Sequence, residues 1–140
     1  MKEFLENFFY NLSYRFTSEN DLSDLIWVLS ETDKEFQKFF LNLFFDDLDF
    51  SIPIILIREY FRDDSRPDFF FVLNDQEYII EIKINDTNHH FPQYIKSFET
   101  AKRGYITNYI LDNENSNNYK NDYKIITWYD VIIKAKKEYS

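Results

Sequence analysis

Apolar residues recur from Leu22 through Leu25 and Ile26 to Leu29, a spacing that lines one face of a helix. Ser18 with Asp21 three residues later makes a capping-box start, so this helix is expected from about Ser18. Phe36, Phe39, Phe40, Leu43 and Phe44 repeat the pattern in a second amphipathic helix, and Phe4, Leu5, Phe8, Phe9 and Leu12 give another at the start of the chain. The period changes after Ser51. Ile52, Ile54, Ile55, Leu56 and Ile57, broken by Pro53, read as a first strand ending near Tyr60 and Phe61, with Pro53 at the strand start, where a missing N–H is tolerated. Two runs of aromatic and β-branched residues, 69–72 and 78–84, flank the turn-forming stretch Asn74-Asp75-Gln76-Glu77 and predict an antiparallel hairpin. A helix follows over Phe91 to Ala101 with Pro92 in its first turn, then a strand from Gly104 to Ile110 and a polar, Asn-rich loop from Asp112 to Asn121. A last strand, Lys124 to Trp128, leads into a helix from Tyr129 to Tyr139.

This succession predicts an α/β fold with a mixed sheet flanked by helices and extra helices at the N-terminal end. The helix between the third and fourth strands makes a parallel crossover feasible. No repeat or linker divides the 140 residues, so one domain is expected.

The hairpin also carries the chemistry. With Asp75 and Gln76 as the turn, Asn74 faces Glu77, Phe70 lies opposite Glu81, and Asp68 lies opposite Lys83. Strand alternation then gathers Asp68, Glu81 and Lys83 on one face and turns Ile80, Ile82 and Ile84 to the other. A carboxylate pair in such surroundings repels itself, which makes sense if a divalent cation sits between Asp68 and Glu81, with the Ile82 backbone carbonyl as a third oxygen ligand. Lys83 would stand beside the bound water, able to orient or deprotonate it, while the cation neutralises charge building on a phosphoryl oxygen. These are the requirements of phosphodiester hydrolysis.

Pro67-Asp68, a spacer, and then Glu81-Ile82-Lys83 resemble the signature of the PD-(D/E)XK nuclease superfamily. The resemblance spans about residues 19–110 and implies a restriction-endonuclease-like αβββαβ core, whose element order the chain shares. It also implies a magnesium-dependent endonuclease, with manganese as a substitute, acting on DNA or, less often in the family, RNA. A glutamate on an early helix often joins such a site. Glu19 lies three residues before Leu22 and seven before Ile26, on the inward stripe, and is the acid expected there; a first-turn glutamate favoured by the helix dipole is the alternative, and Asp24 and Glu31 fall off the stripe. The family often opens the helix after its second core strand with a Gln-x-x-x-Tyr element. Here Tyr94 has His90 four residues before it, so either His90 or a shifted Gln93 takes the place of that Gln, and His90, Gln93 and Tyr94 are expected to contact substrate or support Lys83. The family includes parts of restriction, recombination and phage-defence systems.

Composition bounds this reading. The chain is 44% hydrophobic and 21% aromatic, which suits a packed core, and has no cysteine, which removes disulfides and thiolate metal sites. An N-terminus that carries acids early, without a long apolar run, predicts no secretory leader and no membrane span, hence a cytoplasmic protein. The net charge of −9 argues against broad wrapping of nucleic acid. Its distribution is uneven: residues 1–87 hold 8 Lys and Arg against 19 Asp and Glu, and residues 88–140 hold 8 against 6. Lys96, Lys102, Arg103, Lys134, Lys136 and Lys137 are candidates for a local basic face. Arg58, Arg62 and Arg66 are expected to pair with Asp63, Asp64 and Glu59 rather than touch phosphate. The acidity keeps open an alternative, a catalytically silent nuclease-like fold used for nucleic-acid binding or protein assembly, and a weaker one, an interaction module with a Phe8, Phe9, Tyr10 and Tyr14 dimer surface. Cutting both strands of a duplex at once needs a second subunit, so a homodimer or larger complex is expected from reaction geometry.

Overall fold

The computed structural model describes residues 19–83, 90–107 and 118–138. The expected N-terminal helix, Ser18, Ile84, His89, Tyr109, Ile110 and most of the Asn-rich loop lie outside them, as does the Glu19 side chain. Within these residues the elements run in the order α1 (Glu19–Thr32), α2 (Lys34–Asn42), β1 (Ile57–Arg58), β2 (Phe69–Leu73), β3 (Gln76–Ile82), α3 (Phe91–Ser97), β4 (Lys102–Thr107), β5 (Lys124–Thr127) and α4 (Trp128–Glu138). The strands form one sheet in the order β1-β2-β3-β4-β5. Its first three strands pair antiparallel, whereas β4 joins β3 and β5 joins β4 in parallel. This is the mixed α/β sheet that the pattern predicts, with α3 as the crossover between parallel neighbours.

Alternation along the hairpin divides the core in two. Phe69, Phe71, Leu73, Tyr78, Ile80 and Ile82 point to the side where Leu22 and Ile26 of α1, Phe36 and Phe40 of α2, and Val131 and Ala135 of α4 are buried. Phe70, Ile79 and Tyr105 point to the other side, against Phe91, Tyr94 and Phe98 of the α3 region. Phe71 and Tyr78 are register partners whose rings stack at 4.6 Å. The helix starts are local chemistry: the Asp33 side chain accepts from the amides of Glu35 and Phe36 at 2.9 and 3.2 Å, capping α2.

The first strand is much shorter than predicted. Only Ile57 and Arg58 pair with β2. Ile54 and Leu56 are buried, but their carbonyls accept from the Gln37 amide at 3.1 Å and the Trp27 indole at 3.0 Å, so helix side chains replace the strand ladder there. Glu59 then turns left-handed at φ 55°, ending the strand before Tyr60. The helix predicted to reach Ala101 stops at Ser97.

The hairpin register also departs from expectation. Leu73 pairs with Gln76, so Asn74 and Asp75, at φ 50° and 64°, are the turn, rather than Asp75 and Gln76. Two consecutive left-handed residues make the tight type I′ turn, which Asn and Asp tolerate and Gln does not. Phe70 therefore pairs with Ile79, not Glu81, and continuing the register brings Asp68 opposite Glu81, not Lys83. The offset is even, so every side chain keeps its expected face.

Candidate active site

Beyond the last β2–β3 pair, Phe69 with Ile80, side chains take over the ladder. The Asp68 amide donates to Glu81 Oε2 at 3.1 Å, and the Ile82 amide donates to Asp68 Oδ2 at 2.7 Å. Each acid is thus fixed by a main-chain N–H of the opposing strand. Lys83, two residues beyond Glu81 on the same face, places its ammonium 3.6 Å from Glu81 Oε1, and its amide continues the β3–β4 ladder to the Ile106 carbonyl at 2.8 Å. Asp68, Glu81 and Lys83 are 8%, 5% and 6% exposed, so these are ionisable groups held inside the protein. The expected convergence is present.

Burial, then the charge of Asp68, raises the Glu81 carboxyl well above its ordinary value, while Lys83 acts the other way. The α3 side adds Tyr94, buried beside Glu81, whose hydroxyl donates to the Arg66 carbonyl at 3.3 Å. Burial and then the Glu81 charge push its phenol upward, so it remains a neutral donor. Of the groups named for the site, Tyr94 stands next to Glu81.

His90 and Gln93 lie beside it. His90, left-handed at φ 54°, precedes α3 with its ring 6.2 Å from that of Tyr94, and Gln93 donates to the Asp64 carbonyl at 2.7 Å. His90, Gln93 and Tyr94 line one cavity of about 290 Å³ together with Phe61, Asp64 and Arg66. Glu19 opens α1, but its side chain is outside the described residues. Glu31 is exposed.

Arg58 takes a part in the site that the sequence did not assign to it. Its guanidinium donates to Asp24 Oδ1 of α1 at 3.1 Å and to the Asp68 carbonyl at 2.6 Å, and lies 3.7 Å from Asp68 Oδ1. Arg58 and Arg62 do pair with acids, but with Asp24 and Asp68 for one and Glu77 for the other rather than with Asp63, Asp64 or Glu59. The signal was a cation placed inside an apolar alternating run. On the basic half, Lys102 pairs with Asp47, Arg103 holds the carbonyls of Phe98, Glu99 and Asp122, and Lys134 donates to the Asn42 carbonyl.

Among the described residues no three or more Asp, Glu or His side chains gather, so two carboxylates are the protein acids in view. In a strand, the N–H and C=O of one residue point to the same side; the Ile82 amide reaches Asp68, and its carbonyl faces that way too. Hard oxygens from two carboxylates and one carbonyl, with water completing the shell, match what magnesium takes from proteins. A divalent cation would also relieve the repulsion that raises Glu81. The donor set fits. Among the described residues no helix is long and apolar enough to cross a membrane. No family model, no curated protein and no solved structure matches this chain.

Proposed function

We propose that the protein is a metal-dependent nuclease that hydrolyses phosphodiester bonds, with DNA as substrate, in the manner of the PD-(D/E)XK superfamily. The observation that carries this reading is the reciprocal fixing of Asp68 and Glu81 by backbone amides, with the Lys83 ammonium on the same face. The element order supports it: a helix, three antiparallel strands, a crossover helix and a parallel strand follow the αβββαβ succession of that superfamily.

Asp68, Glu81 and the Ile82 carbonyl would hold magnesium or manganese, with Glu19 as a further acid. When bound, the ion supplies Lewis-acid stabilisation of a phosphoryl oxygen and lowers the pKa of water. The chain's own groups do the rest. Lys83 donates to the attacking water or to the oxygen on which charge builds, and the surrounding apolar sheet strengthens that interaction. Tyr94, beside Glu81 on α3, would close that side of the carboxylate. His90, Gln93 and the neighbouring cavity receive the substrate on the open side. A cysteine-free chain suits a reducing cytoplasm, and a duplex cut on both strands would engage a homodimer.

One observation favours the second reading, a nuclease-like fold that binds without cutting. Asp68 and Glu81 each spend one oxygen on an amide and turn another toward a cation, Arg58 or Lys83, which is a self-sufficient arrangement. A calorimetric titration with manganese separates the two. The nuclease reading expects saturable binding that Asp68→Asn weakens at least tenfold; a folded wild type that takes no ion at millimolar concentration contradicts it.

A further inference from the structure

Residues 61–66 form a second, very small hairpin. Arg62 and Ser65 exchange both backbone bonds, at 2.9 and 2.8 Å, around Asp63 and Asp64, whose φ values are 49° and 63°. Two left-handed residues in succession are the type I′ geometry, costly for side chains other than Gly, Asn and Asp. The next pair outward is Phe61 and Arg66, so the turn sets an aromatic ring and a guanidinium across from each other on one face.

This turn is pinned in place. Gln93 donates to the Asp64 carbonyl at 2.7 Å, the Ser65 and Ser97 hydroxyls bond at 2.6 Å, and Ser97 reaches the Asp63 carbonyl at 3.4 Å. Arg62 makes a two-pronged bond to Glu77 at 3.0 and 2.6 Å and packs over the Phe98 ring. What the pinned turn displays is an apolar ring 66% exposed and an exposed cation. Arg58 and Arg62 both have acid partners; among the described residues Arg66 forms no ion pair. Phe61 and Arg66 line the 290 Å³ cavity, and Tyr94 of the same cavity donates to the carbonyl of Arg66, two residues before Asp68, so this space adjoins the acid pair.

A ligand that satisfies both groups has an anion and a flat ring a short distance apart, with hydrogen-bonding edges for Asp64 and Gln93. A nucleotide has all of these. Inside a duplex both faces of a base are stacked and its pairing edge is occupied; in a single strand or at a frayed end a face is free to lie on an aromatic ring. A lone arginine also neutralises one phosphate rather than the several that a duplex backbone presents, in keeping with the net charge of −9. We infer that this cavity takes one nucleotide of an unpaired strand, its base on Phe61 and its phosphate on Arg66, next to the bond to be cut. The inference rests on the nuclease reading and adds the strand preference.

The test is fluorescence anisotropy of labelled oligothymidine and of a blunt duplex, with magnesium, against Asp68→Asn protein and the same protein carrying Phe61→Ala or Arg66→Gln. Both added substitutions are on exposed side chains and leave the core intact. Oligothymidine is expected to bind more tightly than duplex, and each substitution to weaken it about tenfold with little effect on duplex. Equal binding of both forms, or unchanged affinity in Phe61→Ala, overturns the assignment. Cleavage by the wild-type protein is read separately. If it cuts DNA while Phe61→Ala binds single strands normally, the cavity assignment falls and the nuclease stands; if Phe61 governs single-strand binding and no substrate is cut, the cavity stands and hydrolysis falls.

Discussion

The Asp68 amide donates to the Glu81 carboxylate at 3.1 Å, so the main chain of one acid holds the side chain of the other. With the Ile82 amide returning a bond to Asp68 at 2.7 Å, the pair replaces a rung of the β2–β3 ladder. The acids therefore sit at a defined separation before any ligand arrives, the preorganisation that an electrostatic site requires. It also means that removing either side chain unsatisfies a buried amide. Asp68→Ala is expected to lose about 2 kcal/mol of stability, from the Ile82 N–H left unpaired, and Asp68→Asn much less, because an amide oxygen can still accept; urea unfolding of the two variants checks this.

Glu81 sets a pH dependence. Its folded-state pKa is raised by burial and then by Asp68, so the folded protein binds a proton that the unfolded chain has released, and stability falls as pH rises from the ordinary carboxylate value of 4.5 through the folded one. Glu81→Gln removes this penalty while keeping an acceptor for the Asp68 amide. In metal-free buffer the variant is expected to melt above wild type at pH 7, with the gap closing below pH 4.5. A variant that melts lower at pH 7 would show that the pairing with Lys83 outweighs burial.

The chain's one glycine is structural. A Cβ on Gly104 would meet the Phe44 ring at 2.5 Å, because α2's C-terminal side lies directly on β4. Gly104→Ala is expected to cost about 2 kcal/mol in chemical unfolding, and Phe44→Leu in the same chain to recover part of it.

Arg58 links α1 to the acid pair unevenly. Asp24's side chain is 67% exposed, so its ion pair with Arg58 is worth little and Asp24→Asn should cost under about 0.5 kcal/mol. Arg58, whose side chain is 14% exposed, also satisfies the Asp68 carbonyl, and Arg58→Met should cost about 2 kcal/mol. Equal costs in denaturant titrations would contradict this division.

On α1, the hydroxyl of Ser30 is buried with no hydrogen-bond partner among the described residues. Ser30→Ala is therefore expected to raise stability by about 1 kcal/mol, measured as a higher unfolding midpoint.

The faces of the central hairpin were legible because alternation survives an even error in register: Asp68, Glu81 and Lys83 share a face whether the turn is Asp75-Gln76 or the observed Asn74-Asp75. The register itself was not, since it depends on which residues accept left-handed backbone. The strand read over Ile52–Ile57 shrank to Ile57–Arg58 because long-range bonds from Gln37 and Trp27 claimed its carbonyls, something no local pattern encodes. The partners of Arg58 and the facing of Phe61 and Arg66 were hidden for the same reason. Arg58 reaches an acid 34 positions away, and the facing of Phe61 and Arg66 follows from a two-residue turn of aspartates that reads as a plain charged loop.

Cleavage tests the central claim most directly. Labelled single-stranded DNA, plasmid and RNA are incubated with magnesium or manganese and wild-type, Asp68→Asn or Lys83→Met protein, each confirmed as folded. The expected result is metal-dependent cutting of DNA that falls at least a hundredfold in both variants. Cutting that persists unchanged in both, or none by wild type on any substrate, would contradict hydrolysis at the Asp68, Glu81 and Lys83 site.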